Sequence, residues 1–142
     1  MNRHLLFIED NEDDVYIIRN TLEREGIREN THFVGNGKLA VEYLESLARN
    51  TSQPEPLPAL IFLDLNMPLM NGLEFLQWRR EQPDLQTVPV LVLTSSDSQR
   101  DIADAYKLGA NAYLVKPMSV AEFSALLKSV HQFWLTYNRA AP

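Results

Sequence analysis

The stretch Leu60-Ile61-Phe62-Leu63-Asp64-Leu65-Asn66-Met67-Pro68-Leu69-Met70-Asn71-Gly72 decides the fold. Its four leading residues, Leu60 to Leu63, are all large and apolar, as in a strand buried on both faces of a sheet. The run stops at a carboxylate, Asp64, and passes into Asn66, Pro68 and Gly72, residues of a loop. A charge at the tip of a buried strand is costly unless something compensates it. In an open α/β sheet that tip is also where ligands sit. Asp64 is therefore the first candidate for chemistry.

Working outward, four further apolar runs have the same form. Leu5 to Ile8 ends in Glu9 and Asp10; Thr31 to Val34 is a weaker strand followed by Gly35-Asn36-Gly37, a turn and helix start. Val88 to Leu93 ends in Thr94, Ser95 and Ser96, and Ala112 to Val115 ends in Lys116-Pro117. Between them lie helical spacings: Val15, Ile18 and Leu22 up to Gly26; Ala40, Leu44 and Leu47; Leu73 and Leu76 up to Pro83; Ile102, Ala105, Tyr106 and Leu108 up to Gly109. Asn11 to Asp14 reads as cap and first turn of the first helix, with acids favoured by the helix dipole. Ser119, with Glu122 at the capping-box position, opens a last helix extending to about residue 138. Asn50 to Pro58, a polar stretch with three prolines, reads as a surface loop.

Alternation of five strands with five helices predicts an α/β domain, a five-stranded parallel sheet with helices on both faces. Right-handed crossovers bring the strand carboxyl ends to one edge. That edge gathers Glu9, Asp10, Asp64, Thr94 and Lys116 from distant parts of the chain. Crowded carboxylates raise one another's pKa or recruit a cation, and such oxygen donors suit Mg2+. A hydroxyl and an ammonium beside them suit a phosphoryl group, and Asp64 is the candidate nucleophile.

Each residue also has a plainer reading alone. Acids after a strand cap helices, a strand-end threonine merely suits the strand, and a lysine before proline is solvated. Together these readings require four coincidences on one rim. His4, His32 and His131 show no ligand spacing and read as isolated surface or satisfied side chains; Trp78 reads as cover for its helix, and Met67 and Met70 as loop packing.

Composition bounds the alternatives. The chain has 142 residues, 45% hydrophobic and 23% charged, as in one soluble globular domain spanning 1–142. A net charge of -6 argues against nucleic acid as the main partner. The absence of cysteine removes disulfides and thiolate metal sites. No apolar run approaches the ~20 residues of a membrane span, and no signal peptide precedes the first strand, so a cytoplasmic protein is expected.

The motifs Glu9-Asp10-Asn11, Leu63-Asp64-Leu65-Asn66-Met67-Pro68 with Asn71-Gly72, Leu93-Thr94-Ser95-Ser96 and Ala112-Tyr113-Leu114-Val115-Lys116-Pro117 carry a resemblance. In this order and spacing the chain resembles the receiver domain of two-component response regulators over nearly its whole length. The resemblance implies a flavodoxin-like (βα)5 fold with strand order 2-1-3-4-5. It implies Asp64 as phosphoacceptor from a histidine kinase. It implies Asp10, Asp64 and the Asn66 carbonyl as Mg2+ ligands, with Glu9 acting through water. Thr94 and Lys116 become the switch hydroxyl and the phosphoryl-pairing lysine, and Tyr113 the aromatic switch. Ser95 is the small residue that leaves access to the phosphoryl group, and Lys116-Pro117 is expected to be cis. The long loop 50–58 and the extended last helix are similar to small single-domain regulators paired with bacterial phytochrome-type kinases. Output is then a protein contact, including a homodimer through the helix four, strand five and helix five face.

Two rival functions share the fold. A Mg2+-dependent phosphohydrolase with an aspartyl nucleophile usually carries a second acid two residues on, where this chain has Asn66. A phosphate-independent interaction module is expected to show a damaged site, and this motif set is intact. A flavodoxin would need a Ser/Thr-Gly-rich loop after the first strand, which is missing.

Overall fold

The computed structural model describes residues 3–27, 29–49 and 56–142. Five strands run β1 (His4–Ile8), β2 (Asn30–Val34), β3 (Leu60–Leu63), β4 (Val90–Thr94) and β5 (Ala112–Val115). They alternate with α1 (Glu12–Arg24), α2 (Gly37–Arg49), α3 (Gly72–Arg80), α4 (Gln99–Lys107) and α5 (Val120–His131). All pairings are parallel, in the order β2-β1-β3-β4-β5. The flavodoxin-like order implied by the resemblance is the order found.

Strand side chains alternate between two cores, because successive residues point to opposite faces. Leu6, Ile8, Ile61, Leu63, Val90 and Val92 join residues of α2, α3 and α4 on one side. Leu5, Phe7, Leu60, Phe62, Leu91 and Leu93 join Ile18 and Leu22 of α1 and Phe123, Leu127 and Val130 of α5 on the other. Phe7 stacks on Phe62 at 4.4 Å between ring centres. Burial on both faces is why β3 and β4 contain no alternating polar residue.

Some local details differ from the sequence expectation, β1 and β2 each beginning one residue earlier. β4 begins at Val90 rather than Val88, since Pro89 has no amide to donate to a ladder. The full capping box lies at Asn71 and Glu74, opening α3, whereas Ser119 caps α5 by accepting from the Glu122 amide. After α5 the chain continues as π-helical turns over Gln132–Tyr137. Of the proline-bearing loop, positions 50–55 lie outside the described residues. Met67 and Met70 pack against the core, as expected of loop packing. Among the described residues no helix is long and apolar enough to cross a membrane.

Candidate phosphoryl site

The carboxyl ends of β1, β3, β4 and β5 bring the five predicted groups together. Neighbouring strands fix them: the Asp64 amide bonds the Ile8 carbonyl at 3.0 Å, and the Lys116 amide bonds the Thr94 carbonyl at 2.8 Å. Glu9, Asp64 and Thr94 are buried, and Asp10 stands exposed at the rim. One carboxylate oxygen from each of Glu9, Asp10 and Asp64 lies within 4.8 Å of the others. Three hard oxygen donors around one point, with a solvent-facing side, fit a Mg2+- or Mn2+-type ion that keeps some waters.

Lys116 supplies the resident positive charge. Its side chain is 8% exposed, and Nζ lies 2.6 Å from Glu9 Oε1, 2.7 Å from Asp14 Oδ2 and 3.6 Å from Asp64 Oδ2. Burial works against the ammonium, but the Asp14 and Glu9 carboxylates outweigh it and its pKa moves up. Burial pushes the Glu9 carboxyl up to about 7, with the Lys116 ammonium resisting and the Asp64 charge adding to the push. Four acids, Glu9, Asp10, Asp14 and Asp64, stand around this one ammonium, an arrangement that favours a second cation.

The Thr94 hydroxyl is the clearest open valence. It is fully buried and Oγ1 has no hydrogen-bond partner among the described residues. Buried polar atoms are nearly always partnered, so this one marks a place for a ligand or water. Ser95 beside it is exposed and small.

The Asp64 backbone is held by a tight loop. The Gly72 amide bonds the Leu65 carbonyl at 3.0 Å. A Cβ on Gly72 would stand 2.4 Å from the Asp64 carbonyl oxygen, so only glycine lets α3 start this close. The Asn66 amide lies 3.5 Å from Asp64 Oδ1. Leu69, in the same loop, has φ 65° and an exposed side chain. A leucine in the left-handed region is strained by about 1–2 kcal/mol.

Tyr113 on β5 packs against the α2-α3-α4 core and donates to the Ser96 carbonyl at 2.9 Å. Ser96 Oγ in turn donates to Asp101 Oδ2 at 2.6 Å. The ring is thereby tied to the loop that follows Thr94. Burial raises the Tyr113 pKa, and the Asp101, Asp97 and Asp64 charges add to it.

One expectation needs correction. Among the described residues no peptide bond is cis, so Lys116-Pro117 is trans. Trans is the lower-energy isomer of an X-Pro bond by about 0.5–1 kcal/mol, and Lys116 reaches its three acids from it. The histidines are satisfied side chains, as expected. His4 Nε2 is 3.1 Å from the Tyr43 hydroxyl, His32 stacks on Tyr43 at 4.0 Å, and His131 meets Glu29 at 3.2 Å.

Asp14 is the site residue that the sequence does not reveal as one. An acid in a helix's first turn ordinarily answers the dipole, and only its position just after Glu9-Asp10 hints at more. The burial of Arg79, next to Trp78, likewise leaves no mark in the sequence.

A fold of this order with this acid cluster defines a class, and the comparisons agree. The family profile described as response regulator receiver domain matches residues 5–128. The chain belongs to the receiver domains of two-component signalling, proteins that are generally not classed as enzymes. It is 32% identical over 136 residues to the probable methanogenesis regulatory protein FilR2 of Methanothrix harundinacea, covering 96% of this chain and 86% of that one. It is 30% identical over 131 residues to response regulator Rcp1 of Synechocystis sp., covering 92% and 88%. The crystal structure of the phosphorylated cyanobacterial phytochrome response regulator RcpA superposes with a TM-score of 0.90 at 28% identity, covering 100% of both chains.

Proposed function

We propose that Asp64 accepts a phosphoryl group from a phosphohistidine of a histidine kinase, with Mg2+ bound in the acid cluster. An Asp64 carboxylate oxygen forms the new bond to phosphorus as the bond to the histidine nitrogen breaks, and the imidazole leaves with the electron pair. Asp10, Asp64 and the Asn66 carbonyl would hold the ion, with Glu9 acting through water. Bound there, the ion neutralises charge on the phosphoryl oxygens and helps bring two anions together. Thr94 Oγ1 donates to one phosphoryl oxygen and Lys116 pairs with another. Ser95 leaves the approach open.

The observation that carries this reading is the buried, unpartnered Thr94 hydroxyl beside the Lys116–Asp64 pair, whose Nζ–Oδ2 distance is 3.6 Å. RcpA, described as phosphorylated, and a structure of Rcp1 described as Mn2+-bound supply support by likeness. Asn66, exposed where an aspartyl phosphohydrolase keeps a second acid, offers no proton for turnover of small substrates.

Output follows from Thr94 and Tyr113. A phosphoryl group that draws Thr94 inward pulls on the loop carrying Ser96, which accepts from Tyr113. The face of α4, β5 and α5 then changes. It exposes Tyr106, Val115 and Val120, and a homodimer through it is the proposed output form. In this reading residues 1–142 act as one cytoplasmic receiver unit, and the donor is a phytochrome-type kinase, as RcpA's description suggests by analogy.

Acetyl phosphate or a histidine kinase with Mg2+ should give the wild type an acid-labile phosphate that is absent from Asp64→Asn. Label retained by Asp64→Asn would overturn the assignment.

A further inference from the structure

Four side chains and one backbone segment close a ring beside Asp64. Glu9 Oε2 accepts from the Asn11 amide at 3.1 Å, and Asn11 Oδ1 accepts from the Asp14 amide at 3.0 Å. Asp14 Oδ2 accepts from Lys116 Nζ at 2.7 Å, and Nζ returns to Glu9 Oε1 at 2.6 Å. Asp14 is the third residue of α1, where an acid ordinarily bonds the amide of the N-cap residue. Here that amide is taken by Glu9, so the Asp14 carboxylate is left to face Lys116, 102 residues away in sequence. The lysine is thus held between Glu9 and Asp14, and its contact with Asp64 is the longest of the three.

From this ring we infer that Asp14 is a positioning residue: it holds Lys116 toward α1 and competes with a phosphoryl group on Asp64 for the ammonium. The inference rests on the reading of Asp64 as phosphoacceptor and adds a control on it. A phosphoryl group can recruit Lys116 only by loosening or stretching the Asp14 contact. Asp14 therefore lowers the affinity of the site for the phosphorylated state while keeping the ammonium within reach. An Asn at this position keeps the size of the side chain and the backbone cap but loses the charge that grips Lys116.

Beryllofluoride with Mg2+ is a probe of the phosphoryl state, and its bound fraction is read by fluorine NMR. Wild type, Asp14→Asn, Lys116→Met and the double variant form a cycle, each first checked for folding by circular dichroism. Asp14→Asn is expected to tighten beryllofluoride binding by roughly five-fold or more, and the gain should vanish when Lys116 is already Met. Asp14→Ala should move the affinity in the same direction, so the result does not hang on one variant. Unchanged or weaker binding in the Asp14 variants overturns the inference while leaving Asp64 its role. So does a gain that persists with Met at 116, which reports bulk charge alone. A wild type that takes neither phosphate nor beryllofluoride overturns the reading of Asp64 and this inference with it.

Discussion

Among the described residues two cationic side chains are buried, and they are held in opposite ways. Lys116, at the carboxyl edge of the sheet, is surrounded by the carboxylates of Glu9, Asp14 and Asp64. Arg79, on α3, is 4% exposed and has no ion-pair partner among the described residues. Its Nη1 donates to the Gly109 carbonyl at 3.0 Å and its Nη2 to the Val88 carbonyl at 2.7 Å. Those carbonyls lie just past the end of α4 and just before β4, so a positive charge there answers a helix C-terminus. Burial works against the Arg79 charge, and two neutral carbonyls hold its Nη groups without any acid, while its buried Nε has no hydrogen-bond partner among the described residues. The difference separates a site from a brace. An ammonium among competing anions can change partner when a new anion arrives. A guanidinium bonded to fixed backbone has nowhere else to go.

Two variants test that contrast. Lys116→Met should have the largest effect, because it leaves three carboxylates facing one another. A loss of about 3–5 kcal/mol in urea unfolding is expected without Mg2+. Millimolar Mg2+ should narrow the gap to wild type, and a gap indifferent to Mg2+ would show that the acids form no cation site. Arg79→Met should cost about 2–3 kcal/mol from two lost charge-assisted bonds. That loss should be the same with and without Mg2+, and the folded variant should still bind beryllofluoride. Failure to bind in a folded Arg79→Met protein would merge the two cations into one system.

The smallest effect belongs to a third set of charges. Glu29 is 12% exposed and contacts Arg3 at 3.1 Å and His131 at 3.2 Å. Burial works against the Glu29 carboxylate, but its own backbone amide, His131 and Arg3 outweigh it and hold its pKa below the ordinary 4.5. A folded-state pKa that is depressed adds stability above the unfolded value, and that stability is lost as pH falls through the lowered value. Glu29→Gln should therefore cost about 1 kcal/mol or less at neutral pH, since half of the Arg3 side chain is exposed. The gap to wild type should close as the pH drops below the carboxylate range. Urea midpoints taken across that range measure it, and a gap that widens on acidification would contradict the assignment.

Much of the site is legible in the amino-acid sequence. β3 and β5 are found at the residues expected from their apolar runs, and the loop signals after β3 mark the turn at Asp64. Glu9, Asp10, Asp64, Thr94 and Lys116 meet because each follows or ends a strand of the same parallel sheet. Arg79 is hidden because an arginine beside Trp78 and Arg80 looks like a solvated helix face. Its burial depends on where α3 meets α4. Asp14 is hidden because its local role, a first-turn acid, is a sufficient explanation taken alone.

What the sequence determined by itself is therefore the set of strand ends and the chemistry they carry, since hydrophobic runs and loop residues act over a few positions. What only the tertiary structure decided is who shares Lys116, that the Thr94 hydroxyl stays without a partner among the described residues, and that Arg79 is a brace. Those outcomes depend on how α1, α3 and α4 seat on the sheet. Pairings between groups a hundred residues apart leave no local pattern, because they are fixed by crossover geometry and by which carboxylate reaches the ammonium first.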